Sequence, residues 1–560
     1  MMTKTAPTKS TCPIRLIAKG YDDRLNRWCH IYEATDPDGN PLEVLLTTEE
    51  MAKGEAGIIK IFSSFGFEPP LSNAKKAALI KLIEGQDTDC RVPIVSKTGW
   101  AKTCFITPLG IIGDNTLGVR LAKSGLSQQH HFAISGTLQE WQDNILTLAE
   151  GNRLLMFGIA MAFAPPLLSL TGSENGGFNL VLRSSRGKSS AAIFFGSVWG
   201  GGGQHGYSEN WLTTANNIDA MASTYNDALL VLDETGLASE KKPSDVGNLV
   251  LNTAYRLTHG ERKGRLTEPG KRDDWRLYYL STSEKTLTEL AAEAKIEIKT
   301  GQLVRFTDIV ADAGANMGLF ENLHGLNSPA DFANHLRGAA LQYYGTAAQK
   351  FITELVAWRQ RNAGSLRSWI NDREEFYNKK AVKLITSGET ARIASRFALI
   401  YAAACLAKRF GILKWEKEQI LDAILFAHGR VQFKDLERCA NSSLKTNADI
   451  CNQVKKSILE VYSDLVDLCE SQYSGDNADV NAQIGFIHTK ENGKDEFLFR
   501  RTAFQKHCCG ELPVDRIIRI LKAEGILNSQ KGGKNTVTRK ISASFGRMRF
   551  ISIKAKILDG

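Results

Sequence analysis

The chain has 560 residues, 43% hydrophobic and 23% charged, with a net charge of +9. That is an ordinary globular balance, and the length is too great for one core, so three or four domains are expected. The polar first dozen residues lack the apolar core of a signal peptide, and the longest apolar run, Leu154 to Leu170, is interrupted by Pro165 and Pro166, so neither secretion nor a membrane span is expected and the protein reads as cytoplasmic.

In chain order, residues 1–125 mix short strands with one helix and read as an accessory α+β domain. Trp28 to Ala34 is a strand, Asp36-Pro37-Asp38-Gly39 a turn, and Leu42 to Leu46 the returning strand. Asn73 to Ile83 is a helix with Asn73 as its cap and Leu79 and Ile83 four apart. From 126 to 345 helices alternate with apolar strands, an α/β pattern. The strands are Phe178 to Leu182, Ala228 to Leu232 and Trp275 to Leu280, and Lys188 to Val198 is a helix. Residues 346–440 read as all-helical and 445–485 as a connector with a polar stretch, Ser471 to Asn481. Residues 486–560 form a basic domain: Lys490 to Gly560 holds 16 Lys and Arg against 7 Asp and Glu, a net of +9 that equals the charge of the whole chain. A basic tail on a neutral body is the electrostatic footprint of a phosphate-backbone binder. The ten cysteines form no CxxC pair, and His507-Cys508-Cys509 is a poor zinc site, so structural thiols are expected.

The chemistry concentrates where a strand, a loop of small residues, Gly187-Lys188-Ser189 and a helix come one after another. Backbone N–H groups of Ser184, Ser185, Arg186, Gly187 and Ser190 would wrap the phosphates of ATP at a helix N-terminus. Lys188 would reach the β- and γ-phosphates and the Ser189 hydroxyl would bind Mg²⁺. The first glycine of the G-x-x-x-x-G-K-[ST] pattern is replaced by Leu182, which raises the prospect of a weakened site. About 45 residues on, a strand ends in Asp233-Glu234. Asp233 would hold Mg²⁺, and Glu234 would polarise the attacking water. The next strand closes with Ser281-Thr282, and Thr282 or Ser281 could sense the γ-phosphate from between its neighbours.

Gly177 to Ser190, Ser197 to Gly200, Trp211 to Asn217, Leu230 to Glu234, Leu280 to Glu284, Gly301 to Arg305 and Asp308 to Gly314 together resemble the DUF927 family over about residues 15–430. The resemblance implies a P-loop AAA+ core with a helical lid, similar to helicases of the MCM group carried by phages, plasmids and chromosomal islands. It implies a homo-hexameric, ATP-driven DNA translocase. It casts Arg305 as an arginine finger toward a neighbouring subunit's γ-phosphate, and Arg392, ahead of Arg396 on the same helix, as a second sensor. It also places a hairpin tip, Glu268-Pro269-Gly270-Lys271-Arg272, in a central pore, with Lys271 and Arg272 gripping single-stranded DNA.

The C-terminal domain resembles a winged helix. Arg501 to His507 and Val514 to Glu524 read as helices, Ile526 to Asn528 and Thr536 to Ile541 as strands around Gly532-Gly533, and Arg549 to Ile553 as a last strand. Arg516, Arg519 and Lys522 share one face of the second helix and would contact duplex DNA. The function expected is an ATP-dependent DNA helicase. The alternatives are an ATP-controlled replication initiator or loader that does not unwind, and a weakly active NTPase scaffold.

Overall fold

Alternating burial along Ile14–Asp22 and Arg27–Thr35 turns one face of each strand toward a core and the other outward. These strands, β1 and β2, pair antiparallel, and β3 (Pro41–Thr47) continues the meander. Helices α1 (Gly54–Ser64) and α2 (Asn73–Glu84) pack on one face, where Ile58, Phe62, Leu79 and Ile83 meet Ile14, Leu16, Tyr32, Val44 and Leu46. The cap of α2 is Ser72, whose hydroxyl accepts from Lys75 N at 3.3 Å, one residue before the cap read from sequence. Strand β4 (Arg91–Val95) joins β1 in parallel. A small antiparallel sheet comes next, β5 (Gly99–Ala101), β6 (Cys104–Thr107) and β7 (Gly110–Gly113), before β8 (Arg120–Leu121) pairs with β4. The order of the first sheet is β3-β2-β1-β4-β8. The computed structural model describes residues 14–22, 27–122, 130–182, 187–211, 215–233, 243–261, 274–436, 447–468, 483–490, 495–510, 512–529, 535–540 and 547–558.

A buried polar joint fastens β5 to the central part of the chain. Thr98 Oγ1 donates to Thr224 O at 2.8 Å, Asn226 Nδ2 donates to Thr98 O at 2.7 Å, and Trp100 N donates to Asp227 Oδ2 at 3.0 Å. Burial pushes the Asp227 carboxyl up to about 6, against the hydrogen bond from Trp100 and the charge of Lys97. The Arg359 guanidinium lies 4.4 Å over the Trp100 ring and completes the joint.

The apolar run after residue 153 forms α3 (Arg153–Met161), buried from Leu154 to Met161, and the chain breaks into a 3-10 turn at Pro165–Leu167 because proline cannot continue an α-helix. Five parallel strands make the central sheet: β9 (Gly176–Val181), β10 (Glu209–Asn210), β11 (Leu229–Asp233), β12 (Tyr278–Ser283) and β13 (Phe306–Val310), in the order β10-β11-β12-β9-β13. Every residue of β11 and β12 is buried, as a parallel sheet covered on both faces requires. Helices α4 (Lys188–Gly196), α5 (Ala215–Thr224), α6 (Pro243–His259), α7 (Leu287–Ala294) and α8 (Thr300–Arg305) connect the strands.

From residue 329 to 429 the long elements are helices: α9 (Pro329–Ala340), α10 (Thr346–Lys380), α11 (Gly388–Arg409) and α12 (Lys417–Gly429). Helix α10 kinks at Asn362, which leaves helical geometry and caps the second half by accepting from Ser365 N at 2.9 Å. Helix α11 is long and apolar enough to cross a membrane, but 83% of its apolar stretch is buried inside the protein. After α12 the chain returns to β13, with Val310 N donating to Arg430 O and Gln432 N to Asp308 O.

Residues Met1–Phe433 form one compact unit and Lys434–Gly560 a second. In the second, α13 (Asn447–Glu460), α14 (Arg501–Cys508) and α15 (Val514–Ala523) surround a core of Ile450, Val454, Phe504, Ile517, Ile518 and Leu521. Its sheet runs β14 (Val466–Asp467), β15 (Phe486–Thr489), β16 (Asp495–Phe499), β19 (Arg547–Lys554) and β17 (Leu527–Asn528), with β18 (Val537–Lys540) also on β19. The wholly buried Glu496 gathers this sheet: it accepts from Ser552 Oγ at 2.7 Å and Asn528 Nδ2 at 2.9 Å and pairs with Arg539 and Lys490. Burial would raise its pKa, but the hydrogen bonds from Arg539 and Ser552 leave it below the ordinary value. Gly532-Gly533 and Ser471 to Asn481 lie outside the described residues.

Candidate nucleotide site

Parallel strands end together, so the residues at and just beyond the ends of β9, β11 and β12 are brought to one edge of the sheet. At that edge Thr282 Oγ1 donates to Asp233 Oδ1 at 2.8 Å, and Ser189 Oγ donates to the same oxygen at 3.4 Å. Lys188, one residue inside α4, lies with Nζ 3.4 Å from Glu284 Oε1. Gly187 caps α4 with φ +89°, and a Cβ there would meet the Phe320 ring at 2.6 Å, so the turn into the helix needs glycine on both counts. Trp211 Nε1 donates to Ser281 Oγ at 3.0 Å, which commits Ser281 to the interior and leaves Thr282 as the hydroxyl turned toward Asp233. Hydroxyl and carboxylate oxygens converging beside a lysine fit a hard divalent cation and the phosphates of a nucleotide.

Leu182 occupies the position where a P-loop usually has glycine. Its amide donates to Ser283 O at 2.9 Å, its side chain is buried, and its φ is not positive. Residue 182 therefore carries the hydrogen bonding between β9 and β12 one residue past the end of β9, and nothing in its backbone calls for glycine. Ser184, Ser185, Arg186 and Glu234 lie outside the described residues, as do Lys271 and Arg272. The residues flanking the stretch that holds the last two are described: Glu261 and Asp274 form an antiparallel bridge, and Trp275 N donates to Gly260 O at 2.9 Å.

Arg305 and Arg392 are not at this edge. Arg305 ends α8, immediately before β13, and Phe306 is in register with Gly177 at the start of β9. Arg392 pairs with Glu174 at 2.7 Å, just ahead of β9, and this hydrogen bond holds the Glu174 carboxyl below its ordinary pKa. Arg396, one turn further along α11, is buried and donates to Thr307 Oγ1 at 3.0 Å and to Val304 O, and a Cβ on Gly176 would strike its Cδ. The three arginines thus share the pole of the sheet where its strands begin, separated from Lys188 by the length of β9, roughly 17 Å at the usual rise per residue. Glu174 is the member that sequence reasoning passed over, and Arg396 was the less favoured candidate beside Arg392 for the second sensor. A glycine pair opening a central strand, Gly176-Gly177, is the signal for a bulky neighbour there. In the second unit, Arg519 and Lys522 are exposed on α15 and Arg516 is half-buried, opposite the buried Ile517, Ile518 and Leu521.

A parallel sheet with lysine, hydroxyl and carboxylate side chains at its carboxyl edge, a helical layer and a separate C-terminal unit make this an α/β protein. Residues 2–273 match the DUF927 family, a domain of unknown function, which bears out the resemblance read from the motifs and places its limit at 273 instead of about 430. A solved structure described as SCCmec type IV Cch, an active helicase, shares the fold at a TM-score of 0.57 and 16% identity, covering 100% of this chain and 97% of that one. The A-form apo structure of the NrS-1 C-terminal region is 11% identical over 67% of this chain and 78% of that one, and its TM-score of 0.24 carries no structural argument. No curated protein matches the chain.

Proposed function

We propose that the protein is an ATP-dependent DNA helicase or translocase that works as a ring-shaped homo-hexamer, in the cytoplasm, in replication of a phage, plasmid or chromosomal island. The observation that carries this is the meeting of Lys188, Ser189, Asp233 and Thr282 at one sheet edge, in a strand order and helical surround that suit an AAA+ core with a lid. The fold shared end to end with an active helicase supports the same reading. Mg²⁺ bound with ATP would supply charge neutralisation at the transferring phosphoryl group. Lys188 holds the phosphates, Ser189 and Asp233 orient the cation, Glu234 turns a water toward attack, and Thr282 fixes the Asp233 carboxylate. Ser184, Ser185, Arg186, Gly187 and Ser190 complete the cradle. Lys271 and Arg272, on the loop closed by the Glu261–Asp274 bridge, grip single-stranded DNA in the pore. The C-terminal domain acts as a winged helix whose Arg516, Arg519 and Lys522 contact duplex DNA.

The test is ATP hydrolysis with and without single-stranded DNA, and then strand displacement. Turnover stimulated by DNA, lost in Lys188→Ala and coupled to displacement, is the expected result. DNA-stimulated turnover without displacement would favour an initiator or loader, and no turnover at all would overturn the motor reading.

A further inference from the structure

The N-terminal sheet carries an aromatic and basic surface unrelated to the nucleotide edge. Register places Tyr21 opposite Trp28 across β1 and β2, and opposite Pro93 across β1 and β4. One step along, Lys19 stands opposite His30 on one side and Arg91 on the other. Residues directly opposite one another in a sheet project from the same face. One face therefore bears a row of Pro93, Tyr21 and Trp28 beside a row of Arg91, Lys19 and His30. This is the face that α1 and α2 cover further along, over Tyr32 and Leu46, but Trp28 remains 46% exposed. The Tyr21 and Trp28 rings pack against each other with centroids 4.9 Å apart.

Adjoining exposed aromatics rimmed by polar residues mark interaction sites. The neighbouring charges say of what kind. Arg91 is exposed, donates to the backbone carbonyls of Thr88 and Cys90, and makes no ion pair among the described residues. Lys19 is paired with Asp87, an exposed loop carboxylate that a phosphate can replace. Burial and the charge of Lys19 keep the His30 ring below its ordinary pKa. Planar rings with cations two residues away along the strands match a strand of unpaired bases and its phosphates, because each base has a π-face to stack and each phosphate a charge to neutralise.

We propose that this face is a stacking platform for single-stranded DNA, on which Trp28 and Tyr21 take bases while Arg91 and Lys19 take the adjoining phosphates. It gives the N-terminal domain a grip on the strand that needs no nucleotide, so it stands or falls separately from the motor reading. The experiment titrates the full chain, without ATP, into fluorescent oligo(dT) and into an abasic strand of equal length. Trp28→Ala should weaken oligo(dT) binding about tenfold, the order of one lost base stack. Trp28→Phe should keep most of it, and the abasic strand should bind weakly and ignore the substitution. A 5-iododeoxyuridine strand should cross-link the natural protein at Trp28 or Tyr21, which reads the platform without any substitution. Unchanged oligo(dT) affinity in Trp28→Ala, cross-links that fall only elsewhere, or a change in self-association with DNA binding intact would overturn the proposal.

Discussion

At the edge of the central sheet, Lys188 is held by Glu284 at the end of β12. On the proposed function, a nucleotide would have to take that lysine from a carboxylate, and Glu284 would compete with the phosphates for the same cation. Glu284 is half-exposed, and such pairs contribute about 0.2–1 kcal/mol. Glu284→Gln is therefore expected to tighten ATP binding by about two- to fivefold, measured by titration with a fluorescent nucleotide, and a weaker affinity would show that Glu284 supports the site. Leu182 makes the opposite case. Its side chain is packed and its amide is in the β-ladder, so glycine there removes buried surface without freeing a loop that needs freeing. Leu182→Gly is expected to cost about 2–5 kcal/mol of stability, the range for emptying a leucine site, and to leave turnover per folded molecule no higher. A rise in turnover would mean that leucine silences the loop.

At the scale of elements, α10 carries a titratable group that burial alone disturbs. Glu374 is pushed up to about 7 by desolvation. A carboxyl whose folded pKa is raised favours the folded state while protonated, and that contribution is lost as the pH rises from its unfolded value near 4.5 through 7. Glu374→Gln should then stabilise the protein by on the order of 1 kcal/mol at pH 8 and by nothing at pH 4, read from thermal melts at the two pH values. An equal gain at both would remove the titration from the explanation. The strands that frame the nucleotide edge were legible in the sequence because parallel, doubly covered strands are short unbroken apolar runs, as at Leu229 to Leu232. The helix after Gly187 was legible through its motif. The parallel docking of β4 on β1 was not, because partners 72 residues apart, Lys19 and Arg91, leave no local pattern. Nor was the wholly buried Glu496, since an acidic residue among Asp495, Phe497 and Leu498 reads as surface until Arg539 and Ser552 are brought to it.

At the scale of the whole molecule, the separation of charges bears on the proposed ring. Lys188, Ser189 and Asp233 lie at one pole of the sheet, and Arg305 and Arg392 at the other, so no arginine of this cluster can reach a nucleotide held by its own chain. Arg396 is buried and committed to Thr307 and Val304, which leaves the half-buried Arg305 and the exposed Arg392 for a neighbour. A head-to-tail ring presents one pole of each subunit to the opposite pole of the next, and that heterologous contact closes without leaving a spare pole. If Arg305 serves the next subunit's γ-phosphate, Arg305→Ala should lower turnover by about 10³-fold or more, as loss of a finger does. Lys188→Ala should be equally inactive. The two defects lie on different sides of each interface, so a site that keeps Lys188 in one variant can be completed by Arg305 from the other. Equal mixing of the two dead proteins should therefore restore activity at roughly a quarter of the interfaces, if subunits assort at random. Mixing that restores nothing, while each variant still assembles to the size of the natural protein, would place Arg305 outside the shared site and leave Arg392, bound to Glu174, as the residue to test in its place.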